Sequence, residues 1–180
     1  MLVTFPVAIK QDRCYNQCYN PLFEENLTYL FFQIFLHLQD KPMYTDQYRF
    51  FVRLSQRTTL NKNSIVKFDE VSVNEGNHFN SGDGIFVAPL SGTYQFSWTT
   101  ITTSNKLAET ELRVDNVIKE TLHIALGSSA GNLSGRKVVL CKVTKGDHVW
   151  IQTSNVHATN FFYVANAAKC SFTGMLIHEL

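Results

Sequence analysis

Two hydrophobic rhythms divide this chain. Between Asn26 and Gln39, the apolar residues Leu27, Leu30, Phe31, Ile34, Phe35 and Leu38 recur at i, i+3, i+4, i+7, i+8 and i+11. That spacing predicts an amphipathic helix over 26–39, led in by Glu24 and Glu25 and stopped by Asp40-Lys41-Pro42. A displaced signal-peptide core and a membrane-associated segment are the alternative readings. From Tyr48 the texture becomes that of short strands. "YRFFVRL" is β-prone, and "SIVKFDEVSVN" alternates around Val66, Phe68, Val71 and Val73, with a slip at Asp69-Glu70 that reads as a turn or bulge. "GIFVAP" is a short strand ended by Pro89. "GTYQFSWTTIT" sets Tyr94, Phe96 and Trp98 on one face and Gln95, Ser97 and Thr99 on the other. "TELRVDNVIKETLHI" reads as two strands about a turn at Asp115-Asn116. "RKVVLCKV" and "DHVWIQTS" are strands joined by "TKGD", and "KCSFTGMLIHEL" is a terminal strand. "LGSSAGNLSG" reads as a loop and "VHATNFFYVANAA" as an irregular connection.

About eight to ten short strands with no helix between them predict an antiparallel sandwich or barrel. The stretch "FNSGDGIFVAPLSGTYQFSW" fits that picture: its rings make an inward stripe, and its glycines and Pro89 make corners. The chain therefore divides into an N-terminal extension, 1–47, and a β domain, 48–180.

Composition narrows the function. Charged residues are 17% of the chain, below the usual ~25%, while 14 Phe, 7 Tyr and 2 Trp favour a β-rich core. Net charge is +1 with no Lys/Arg run, which removes the electrostatic case for nucleic acid. No apolar run is long enough for a membrane-spanning helix. "MLVTFPVAIKQDR" places its basic residues after the apolar stretch, the reverse of a secretory leader, and an incomplete N-terminus is the expectation. There is no Gly-x-Ser-x-Gly, phosphate loop or His-Glu-x-x-His, so no enzyme is expected.

Four cysteines are present. Cys141 shares a strand face with Val139 and Val143, and Cys170 shares one with Phe172. Both point inward, as free thiols or as a Cys141–Cys170 disulfide. Cys14 and Cys18 suit links between chains; as a zinc pair they lack further ligands, His37 being the nearest histidine. His37, His78, His123, His148, His157 and His178 mostly fall on loops or strand ends, and solvated side chains are the expectation. Glu75, Asp83, Asp115 and Asp147 read as turn formers without calcium-ligand spacing. Asn26-Leu27-Thr28 and Asn132-Leu133-Ser134 are N-glycosylation acceptors, the second in the small-residue loop.

One pattern is specific enough to resemble a family. Phe68, Asn74, Phe79, Phe86, Gly92, Tyr94 and Phe96 stand at the spacings of the globular head of complement C1q, in the C1q/tumour-necrosis-factor-like superfamily. Trp98 replaces the last Phe or Tyr, a ring for a ring. "VTKGDHVWI", with Gly146 and Asp147, resembles the family's late Gly-Asp turn, and "FTGMLI", with Phe172 and Gly174, its closing strand. The resemblance covers 48–180 and implies a ten-stranded antiparallel jelly-roll sandwich assembled as a homotrimer or mixed trimer. These signature residues are expected to be core. It is similar to the short bivalve-type proteins with this head, which implies a secreted, lectin-like protein of innate immunity that recognises microbial glycans or lipopolysaccharide. A receptor-binding signalling ligand and a matrix oligomer linked through Cys14 and Cys18 are the alternatives. No cofactor is expected, and calcium enters through the resemblance alone. The loops Asn105–Ala108, Ser128–Leu133 and Val156–Asn160 are the candidate ligand contacts.

Overall fold

The computed structural model describes residues 48–166 and 168–180. The expected helix at 26–39, Asn26, Cys14, Cys18 and His37 lie outside the described residues. Twelve strands follow in order: β1 (Arg49–Arg53), β2 (Thr58–Asn61), β3 (Glu70–Asn74), β4 (Phe79–Asn80), β5 (Ile85–Val87), β6 (Gly92–Thr103), β7 (Lys106–Val114), β8 (Val117–Leu126), β9 (Asn132–Val143), β10 (His148–Thr153), β11 (Thr159–Phe162) and β12 (Ser171–Glu179). Ten of them build two five-stranded antiparallel sheets, ordered β3-β1-β12-β6-β9 and β4-β5-β10-β7-β8. The other two, β2 and β11, pair with each other. The expected jelly-roll sandwich is the observed fold.

Alternation on β6 fixes what lies between the sheets. Tyr94, Phe96 and Trp98 are at most 1% exposed. Phe50 of β1 is the hub of the ring cluster, with centroids 4.9 Å from Phe79, 5.0 Å from Phe86 and 4.9 Å from Phe172. Edge and offset contacts of this kind add specificity to the burial energy. The polar tips of the buried Trp98 and Tyr94 rings are satisfied within the domain. Trp98 Nε1–H donates to Thr110 Oγ1 at 2.9 Å, and the Tyr94 hydroxyl donates to the Leu90 carbonyl at 2.9 Å.

Three readings of the sequence are corrected. In "SIVKFDEVSVN" only the second half is a strand, and Val71 points outward at 45% exposure. The slip at Asp69 is a tether: its carboxylate accepts both the backbone N–H and the hydroxyl of Ser55. In the supposedly irregular "VHATNFFYVANAA", residues 159–162 form β11, paired in register from Thr159↔Asn61 to Phe162↔Thr58. Asn132 is the first residue of β9, opposite Thr103, and not part of a loop.

The Cys141–Cys170 disulfide is also corrected: both thiols are free. Cys141 lies opposite Tyr94 on β6, whereas Cys170 Sγ accepts the Ile101 N–H at 3.3 Å. Those β6 positions are about 23 Å apart at strand rise, far beyond disulfide reach. Burial pushes the Cys170 thiol up to about 11, so it stays protonated and inert.

The Asp69 tether gives a pH prediction. Burial pushes this carboxyl up, but the two Ser55 hydrogen bonds and the Lys169 charge outweigh it, and the pKa sits below its ordinary value. A carboxylate depressed in the folded state stabilises above the unfolded pKa, and that stability is lost as pH falls through the folded pKa. Asp69→Asn should melt below wild type at neutral pH, with the gap closing under acid. Parallel thermal melts across pH check it; a gap independent of pH would contradict it.

Candidate functional site

The signature residues are scaffold, not ligand contacts. Phe68, Phe79, Phe86, Tyr94, Phe96, Trp98 and Phe172 are all buried. Asn74 clamps the entry to β4: its Oδ1 accepts the Phe79 N–H at 3.1 Å, and its Nδ2 donates to the Phe79 carbonyl at 2.9 Å. Gly92 and Gly174 are buried close approaches. Gly146 and Asp147 form a surface turn, so for these two the expectation of core is corrected. Gly146 has φ +92°, a conformation glycine adopts without strain. Asp147 accepts the Thr144 N–H at 2.9 Å.

The three candidate loops converge on one end of the sandwich. The β6–β7 turn and the β8–β9 loop are joined by Asn105 N–H to Gly127 O at 2.9 Å and Ser104 N–H to Gly131 O at 3.3 Å. The β10–β11 loop runs toward the same end: Thr153 lies opposite Thr110, midway along β7, and the next residue, Ser154, donates its N–H to the Glu109 carbonyl at 3.0 Å. Two residues in these ranges are fully buried, Ala108 and Asn160, and are corrected from ligand contacts to support. Asn160 Oδ1 accepts the Glu109 N–H at 2.7 Å, and its Nδ2 donates to the His157 carbonyl at 3.3 Å.

That end carries a polar cluster that the sequence reading did not find. Glu109 and His123 are cross-strand partners in the β7–β8 register. His123 Nδ1 lies 2.8 Å from Glu109 Oε2, and His157 Nε2 lies 3.3 Å from the same oxygen. The ligating atoms of all three residues fall within 4.8 Å of one another, a grouping able to hold a metal ion. Burial raises the Glu109 carboxyl, but hydrogen bonds from His123 and Ser154 and the charges of both histidines bring it below its ordinary value. The cluster was hidden because His157 comes from a loop and the Glu109–His123 pairing needs the register. Asn132 is exposed at the start of β9, in the other sheet.

A second surface lies on the outer face of the β3-β1-β12-β6-β9 sheet. Register aligns Leu140, Gln95 and Met175 in one row, and Val138, Ser97, Thr173 and Phe51 in the next. Val138 is 56% and Leu140 64% exposed. Two large aliphatic side chains two residues apart on an edge strand make an apolar stripe that water does not favour. Among the described residues, no helix is long and apolar enough to cross a membrane.

Comparison with known proteins agrees with this geometry. The C1q domain family matches residues 49–177. Mouse complement C1q tumor necrosis factor-related protein 2 is 32% identical over 117 residues, 63% of this chain and 37% of that protein. The heavy metal-binding protein HIP of Mytilus edulis is 31% identical over 120 residues, 66% of this chain and 54% of that protein. The matches thus span 37% and 54% of these two relatives' lengths. The globular domain of zebrafish complement 1qA protein superposes with a TM-score of 0.60 at 18% identity, over 73% of this chain and 98% of that one. Eiger TNF from S. frugiperda superposes at 0.55 and 8% identity, over 74% and 93%. At such identities the structures share a fold, the C1q/TNF jelly roll.

Proposed function

Because this chain belongs to the C1q domain family, whose members are non-catalytic binding modules, we propose that it is an extracellular, homotrimeric recognition protein. Its ligands in this reading are microbial surface glycans or lipopolysaccharide, bound in innate immunity. The observation that carries the reading is the loop end, where polar connections from β6–β7, β8–β9 and β10–β11 form one rim. The apolar stripe on the outer face of the β3-β1-β12-β6-β9 sheet supports assembly of copies through that face, leaving three rims free. Three weak sites held together gain about 100-fold or more in avidity.

The test is binding of the full chain to a glycan array and to immobilised lipopolysaccharide. Saturable binding that weakens about 100-fold in a monomeric variant is expected. No binding to either surface, together with saturable binding to a cell-surface protein, would replace this reading with a second one. That second reading is a receptor-binding signalling ligand. It is favoured by the tumor necrosis factor-related relatives and by the fold shared with Eiger TNF.

A further inference from the structure

We infer that Glu109, His123 and His157 form a binding site for a first-row divalent transition metal, with Zn2+ as the reference ion. The donors come from three separate segments: β7, β8 and the β10–β11 loop. An imidazole Nδ1, an imidazole Nε2 and a carboxylate oxygen already converge. The 3.3 Å contact matches the roughly 3.3 Å edge of a tetrahedron with metal–ligand bonds of about 2.0–2.1 Å, and the 2.8 Å contact would lengthen by about 0.5 Å as a metal replaces the shared proton. Binding therefore needs both imidazoles neutral, with lone pairs turned inward, and little movement of the backbone.

The support beneath the donors is buried and hydrogen-bonded. Asn160 is 0% exposed and ties the Glu109 backbone to the His157 carbonyl. The Ser154 N–H donates to the Glu109 carbonyl at 3.0 Å, fixing β7 to the same loop. One buried amide thus sets the relative position of two donors that come from different elements, as an outer shell does in a metal site. Two nitrogen donors and one oxygen suit Zn2+, Cu2+ or Ni2+; a hard cation such as Ca2+ takes oxygen ligands. The His123 side chain is 48% exposed, so the remaining position opens to water.

The same three groups would also make a metal-free hydrogen-bonded triad, and the experiment separates the two. The reduced full chain is titrated with ZnCl2 by calorimetry in a non-chelating buffer, alongside His123→Gln and His157→Gln. Neither histidine is in the core, and circular dichroism confirms that each variant is folded. A single site per chain is expected, weakened about tenfold or more in each variant, since even outer-shell changes cost that much. Co2+ in place of Zn2+ should give visible d–d bands without a thiolate charge-transfer band. Absence of zinc binding by wild type would leave only the triad and overturn the site. Equal affinity in wild type and both variants would overturn it as well, and a thiolate band would then place the metal on cysteine.

Discussion

Gly174→Ala should destabilise the domain by about 3 kcal/mol or more, at the upper end of what overpacking a core costs. A Cβ at this position would stand 2.4 Å from Phe50 Cε1, 2.7 Å from Phe96 Cε1 and 2.8 Å from Phe50 Cζ. Neither ring has room to retreat. Phe50 is 1% and Phe96 0% exposed, and Phe50 is already packed against Phe79, Phe86 and Phe172. Register places Gly174 between those same residues, opposite Phe50 on β1 and Phe96 on β6. The glycine is therefore the space into which two neighbouring strands fold their rings. A loss of this size lowers the melting temperature by roughly 10 °C. Gly127→Ala is the control, because nothing lies within 4 Å of its Cβ direction; its effect should stay within about 0.5 kcal/mol. Near-ultraviolet circular dichroism melts of both variants decide it. A Gly174→Ala protein melting with wild type would mean that the ring cluster is looser than the structure shows.

The same residues explain what was legible in advance. Period-two alternation exposes a half-buried strand directly, so β6 and its inward rings could be read from Tyr94, Phe96 and Trp98 alone. Part of the C1q-like pattern was legible because some signature positions meet a local demand, such as the Asn74 clamp on Phe79 or the left-handed turn at Gly146. What could not be read depends on contacts distant in sequence. β2 and β11 are four residues each and have weak patterns of their own; they are strands because they pair with each other. The inward direction of Cys141 and Cys170 was legible, but their separation along β6 was not, because two strands with the same face can dock at opposite ends of a third. The Glu109–His123–His157 cluster needed both a register and the path of a loop. Sequence therefore reported the faces of strands well, and their partners and ends poorly.

Leu140→Arg should convert the proposed trimer into a folded monomer. Fully burying a leucine side chain is worth about 1.5–3 kcal/mol, and threefold symmetry would repeat that contribution in each copy. Leu140 is 64% exposed in the isolated chain, so the substitution removes almost nothing from the domain itself. A guanidinium placed in an apolar contact loses its hydration and, without a facing carboxylate, has no compensating partner. Gln95, across the strand from Leu140, supplies no negative charge. The penalty therefore falls on assembly alone. Val138, two residues away on the same face and 56% exposed, should give a similar result as Val138→Lys. Light scattering on a sizing column reads the mass, and a melt confirms that the fold survives. A wild-type trimer and a monomeric, wild-type-melting Leu140→Arg would locate the interface on the β3-β1-β12-β6-β9 sheet. A trimer persisting in both variants would move the interface to another face, and a wild-type monomer would remove the avidity on which the recognition reading depends.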